Sequence, residues 1–150
     1  MYKVIGKTNT RAMRVLWAMH EIGLEFDHIK VAAQSAEAQK ANISGKVPSL
    51  ILNDIIITDS TAIITYLADK YAQITYPAGT IERAQQDSFT QFILDELDSI
   101  LWSAARHSFV LPKELRVSQL KDTLRWEFTK SLKILESRMG NGPNLMGERF

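Results

Sequence analysis

No cysteine occurs among the 150 residues. Disulfide staples, a thiolate nucleophile belonging to the chain and cysteine-ligated metal centres are therefore excluded. An excess of one charge is missing too: 18 Lys and Arg face 17 Asp and Glu, a net charge of +1. That balance gives no argument for nucleic acid or an anionic membrane as partner. No apolar run reaches membrane-spanning length, and the opening MYKVIGKTNTR has no apolar leader segment, so a cytoplasmic protein is expected. His20, His28 and His107 lack metal-ligand spacing, and no metal is expected. Repeats and low-complexity tracts are absent as well. What remains, 45% hydrophobic and 23% charged residues, is ordinary globular composition.

The most informative stretch is SGKVPSLILNDIIITDSTAIITYLADKY, from Ser44 to Tyr71. Two short β-branched runs, Ser49–Leu52 and Ile55–Ile57, flank an Asn53-Asp54 turn and predict a hairpin. Ser60, Ile63, Ile64, Leu67 and Tyr71 then recur at helical spacing. Val47-Pro48 opens the first strand, where proline removes a ladder donor and the X-Pro bond has access to the cis form. A cis bond there would turn the N–H and C=O of Val47 toward a ligand's peptide backbone, as an added strand would pair. Asp59 and Ser60 start the helix, where free N–H groups and a hydroxyl suit a carboxylate and the acid suits an ammonium. Singly, these are an ordinary strand start and an ordinary N-cap. Together on one hairpin they describe a site for a γ-glutamyl peptide.

GKVPSLILND, Asp59-Ser60 and YLADKY resemble the glutathione-binding half of the cytosolic glutathione transferase family, and the likeness runs along essentially the whole chain. Asp59 stands where many members carry Glu. The resemblance implies glutathione as co-substrate, held by Arg11, Lys46, Val47, Pro48, Asp59 and Ser60. It also implies a second-substrate pocket that includes Trp102 and Arg106, and a homodimer.

Periodicity along the chain agrees with that fold. Tyr2–Ile5 and Phe26–Val31 read as strands, and Ala12, Val15, Leu16, Met19 and Ile22 mark a helix stopped by Gly23. The order βαβαββα is that of a thioredoxin-like domain, α/β in class, expected over residues 1–76. A linker follows at 72–80, and residues 77–150 read as an all-α, incomplete helical-bundle domain. Phe89, Phe92, Ile93, Leu97, Ile100, Leu101 and Ala104 stripe one helix from Ile81 to Val110. A second helix runs from about Lys113 to Gly140, with Leu120, Leu124, Phe128, Leu132, Leu135 and Met139 on one face.

The chemistry such a domain performs is ionisation of glutathione's thiol. A free thiol has a pKa of about 8.5, and lowering it by about two units takes roughly 2.7 kcal/mol. One charge-assisted hydrogen bond supplies about 1.5–3 kcal/mol, so a hydroxyl or amide suffices. The family places such a group in the loop after the first strand, where this chain offers Asn9, Thr8 and Thr10, with Arg11 adjacent. The expected activity is conjugation of the thiolate to small electrophiles. The alternatives are a glutathione-dependent peroxidase or isomerase, or a non-catalytic glutathione-binding and dimerisation module. In the family a segment like Asn144–Phe150 leads into a capped, buried helix, with the aromatic as hydrophobic staple. The sequence stops at Phe150. A truncated transferase of weakened activity is therefore the expectation.

Overall fold

Four strands of four residues each form one mixed sheet in the order β2-β1-β3-β4. They are β1 (Tyr2–Ile5), β2 (Phe26–Ile29), β3 (Ser49–Leu52) and β4 (Ile55–Thr58). β1 runs parallel to β2 and antiparallel to β3, and β3 runs antiparallel to β4. The helices are α1 (Ala12–Ile22), α2 (Ala36–Ala41), α3 (Ser60–Tyr71), α4 (Ile81–Ile93), α5 (Ser99–Ala105) and α6 (Leu120–Met139). The structure is a computed structural model that describes residues 1–147. The Phe150 staple expected from the sequence lies outside them.

Local chemistry sets the boundaries. Gly23 ends α1 at φ 76°, its N–H returning to the carbonyls of His20 and Met19. Asn53 takes the positive φ, 54°, that the two-residue hairpin turn demands and that Asn tolerates. Thr80 caps α4 by accepting from the Arg83 N–H at 3.2 Å. β2 ends at Ile29, shorter than the expected Phe26–Val31.

The chain divides into two compact units, Met1–Ala78 and Gly79–Phe150. In the first, alternate β1 residues Tyr2 and Val4 join Leu50 of β3 beneath α1 and α3. Val4, Val15, Met19, Leu50, Ile63 and Leu67 are fully buried there. Each such side chain contributes about 1.5–3 kcal/mol. The opposite parity of Ile5 and Ser49 sends them to the other face, and α2 packs on β3.

The second unit is helical but not one regular helix from Ile81 to Val110. π-helical segments at Leu94–Asp98 and Arg106–Val110 interrupt it. A 3-10 turn at Lys113–Leu115 precedes α6, which begins only at Leu120. Ser131 of α6, itself buried, donates from its hydroxyl to Glu96 at 3.2 Å.

Candidate functional site

Sheet register builds the site. Ile5 lies opposite Ser49, and Ser49 lies opposite Thr58. The exit of β1, the entry of β3 and the exit of β4 therefore share one end of the sheet. The sequence leaving or entering at that end is Gly6 onward, Val47-Pro48 and Asp59-Ser60. Gly6 draws the first two together: a Cβ there would lie 2.9 Å from that of Ala12 and 3.0 Å from that of Val47, at φ 135°. Only glycine admits that approach and that φ. The Gly6 carbonyl is held by His28 Nε2 at 2.7 Å and its N–H donates to the Ile29 carbonyl at 3.0 Å.

The Val47–Pro48 peptide bond is cis. No other described residue is hydrogen-bonded to the N–H or C=O of Val47. Pro48 is buried, Val47 half-buried, and Lys46 exposed with no described partner for its ammonium. Ser49 comes next, fully buried, with a hydroxyl that has no partner among the described residues.

At the start of α3, Asp59 holds a strained backbone, φ 73° and ψ 127°. A non-glycine residue there costs about 1–3 kcal/mol, and such residues gather at functional sites. Its Oδ1 accepts from the N–H groups of Thr61 (2.9 Å) and Ala62 (3.2 Å). Two helix-start donors expected to be open to a ligand are thus taken by the cap. Ser60 remains: it is 3% exposed, and no described residue bonds its hydroxyl.

The loop after β1 separates the three thiol candidates. Thr10 Oγ1 donates to the Lys7 carbonyl at 2.7 Å and accepts from the Ala12 N–H at 3.1 Å. It ties the loop to the first N–H of α1 from one position before the N-cap residue, Arg11. Thr8 and Asn9 are exposed, and their side chains have no described partner. Arg11, half-buried, is the N-cap residue of α1. Trp102, half-buried, and exposed Arg106 belong to the helical unit. Of the three histidines, His28 is bonded to the Gly6 carbonyl, His107 accepts from the Val117 N–H at 3.0 Å, and exposed His20 lies edge-on to Phe26. No group of residues able to hold a metal occurs among the described residues.

Sequence reasoning missed Gly6, Gln34 and Asn42. Gly6 carried a usable signal, a lone glycine at the end of a strand. Gln34 acts through a side-chain bond to Ser44, ten residues on, and Asn42 through bonds to Ser44 and Lys46, two and four residues on, and neither leaves a periodic trace.

Topology and site together define a thioredoxin-like unit followed by a helical one. Residues 10–75 match the glutathione S-transferase N-terminal domain family. Glutathione S-transferase Z2 of Arabidopsis thaliana is 39% identical over 67 residues, covering 41% of this chain and 30% of that protein. Glutathione S-transferase 1 of Schizosaccharomyces pombe is 30% identical over 148 residues, covering 91% of this chain and 64% of that one. Among solved structures, glutathione transferase URE2P6 of Phanerochaete chrysosporium, in complex with oxidized glutathione, superposes with a TM-score of 0.83. It is 25% identical and covers 99% of this chain and 72% of that one. Family model, curated relatives and solved structures agree: this chain is similar to glutathione transferases along its length, and to their N-terminal domain over residues 10–75. Its alignments span 30% and 64% of those two curated relatives.

Proposed function

We propose that the chain binds glutathione along Lys46-Val47-Pro48, Asp59 and Ser60 and presents its thiolate, at Thr8 or Asn9, to a small electrophile. The observation that carries the reading is the gathering, at one end of the sheet, of polar groups that have no partner among the described residues. These are the peptide N–H and C=O of Val47, the Ser60 hydroxyl, the Lys46 ammonium and the side chains of Thr8 and Asn9. A γ-glutamyl tripeptide meets each of them. Its α-carboxylate takes Ser60, its ammonium the free Asp59 oxygen, its cysteinyl backbone Val47, and its glycine carboxylate Lys46, with Arg11 alongside. The complex of URE2P6 with oxidized glutathione supports this choice of ligand.

The reaction needs only a donor to the sulfur. A hydrogen bond to the thiolate supplies about 1.5–3 kcal/mol, and the start of α1 adds about 0.3–1 kcal/mol, together enough for a shift of about two pKa units. The thiolate sulfur then forms a bond to the electrophilic carbon, whose leaving group departs with the electron pair of the bond that breaks. A homodimer in the cytoplasm completes the reading. The second reading, glutathione binding without turnover, is favoured by the helical unit, where Leu97 is the one buried hydrophobic residue among those described.

Isothermal calorimetry with glutathione tests the site. Ser60→Ala should weaken binding by about 1–3 kcal/mol through loss of a bond to a charged group. Asp59→Asn keeps an N-cap but removes the charge, and should weaken it too. Unchanged binding in both variants removes the site.

A further inference from the structure

We propose that Asn42 and Gln34 are positioning residues that hold Lys46 and Val47 in place for the peptide part of glutathione. The inference rests on the reading of the site as one for glutathione. Asn42 Oδ1 accepts from the Ser44 N–H at 3.0 Å and the Ser44 hydroxyl at 2.9 Å. Asn42 Nδ2 donates to the Lys46 carbonyl at 3.2 Å. The Lys46 N–H donates in turn to the Ser44 hydroxyl at 3.3 Å. From the other side, Gln34 Nε2 donates to the Ser44 carbonyl at 2.9 Å, and the Gln34 N–H donates to the Gly45 carbonyl at 2.8 Å. The Gly45 N–H closes the set on the Asn42 carbonyl at 2.7 Å. Every peptide N–H and C=O from Ser44 to Lys46 is thus engaged, and the bonding stops at Val47, where the ligand's would begin.

Apolar packing does not explain this order. Ile43, inside the brace, is 99% exposed, and Gln34 is exposed as well. The fit is nonetheless tight: Gln34 takes φ 66°, and a Cβ on Gly45 would sit 2.5 Å from Gln34 Oε1. A loop with almost no core, strained at Gln34 and fully hydrogen-bonded up to the ligand strand, is what preorganisation requires. The cost of ordering Val47 is met on folding rather than on binding.

The test compares glutathione with γ-glutamylcysteine, which lacks the glycine, by calorimetry on the full chain. Asn42→Asp keeps the acceptor for Ser44 but turns an oxygen toward the Lys46 carbonyl. Gln34→Ala removes the second arm and leaves Asn42 intact, so it carries the test if Asn42→Asp does not fold. Each should weaken glutathione about three- to tenfold, the worth of one hydrogen bond. Each should also shrink the preference for glutathione over γ-glutamylcysteine, because Lys46 and Val47 no longer sit in register. Ile43→Ala should bind both as the parent does. Folded variants that keep the parent's affinities, or lose the same factor for both ligands, overturn the inference and leave the site reading standing. A parent chain that binds neither ligand overturns that reading, and the inference with it.

Discussion

At the scale of single residues, the loop after β1 poses the sharpest question, since three neighbours carry donors and one sulfur needs one. Hydrogen bonding divides them. Thr10 spends its hydroxyl between Lys7 and Ala12, whereas the Thr8 hydroxyl and the Asn9 amide bond to no described residue. Thr10→Ala should therefore destabilise the fold by about 0.5–1.5 kcal/mol for each hydrogen bond lost, and leave the thiol of bound glutathione as it was. Thr8→Val or Asn9→Ala should raise that thiol's pKa by about one to two units, roughly 1.4–2.7 kcal/mol, with little change in stability. Thiolate absorbance against pH reads the first quantity and denaturant unfolding the second. A shift in Thr10→Ala alone would reverse the assignment. No shift in any of the three would pass the role to a backbone N–H or to Arg11.

Between elements, the end of the sheet opposite the site is closed by a cation among phenols. Lys70 of α3 donates to the hydroxyls of Tyr2 on β1 (2.8 Å) and Tyr66 (3.2 Å), while the Tyr2 and Tyr71 hydroxyls lie 3.1 Å apart. Burial pushes the Tyr2 phenol up to about 12, against the lowering hydrogen bond from Lys70. The hydrogen bond between Lys70 and Tyr66 lowers half-buried Tyr66, and the bonds to both phenols raise Lys70. Between the ordinary phenol value of about 10 and the raised value, the unfolded chain has released the Tyr2 proton and the folded chain still holds it. Tyr2 thus contributes stability that is full below pH 10 and lost as pH climbs toward 12. Lys70, also raised, acts with the same sign, and Tyr66 with the opposite one. Denaturant stability should fall across this window, and Tyr2→Phe should flatten the fall. An equally steep fall in the variant would show that the clamp is not its source. Sequence pattern foretold the two elements this clamp joins, because β1 buries alternate and α3 3.6-spaced side chains, and Asp59 marks the start of α3. It did not foretell the clamp, since Tyr2 and Lys70 meet only through the sheet. The π segments were equally hidden: each inserts an extra residue into the helical turn and rotates the turns beyond it. A stripe from Phe89 to Ala104 that reads as continuous is therefore displaced beyond Leu97. At the site, Val47-Pro48 and Asp59-Ser60 were legible as local motifs. The brace from Gln34 and Asn42 was not, for an Ala-rich polar segment reads as a loose helix until its side chains find partners.

Across the whole molecule, burial is shared out unequally. Fifteen of the sixteen buried hydrophobic residues among those described, all but Leu97, lie in Met1–Ala78. In the helical unit Leu101, Phe109, Leu115, Trp126, Leu132 and Met139 are among the large apolar side chains left exposed. Each one left in water forgoes about 1.5–3 kcal/mol, and a domain's net stability is only about 5–15 kcal/mol. Local opening should therefore be much easier in α4, α5 and α6 than in β1, β3, α1 and α3. Amide hydrogen exchange, resolved residue by residue, gives the measure. Slow amides should cluster in the α/β unit, with those of the helical unit exchanging at least tenfold faster, since about 1.4 kcal/mol separates each decade. Association alters that expectation in a defined way. If two copies cover the exposed helical side chains, sedimentation should report twice the chain mass. Protection in α4–α6 should then rise with protein concentration while that of α1 and α3 stays put, because only a partner-dependent surface obeys mass action. Equal protection in both units of a chain that sediments as a monomer would sink the prediction. It would mean that the helices are stabilised by something other than the burial of their apolar faces.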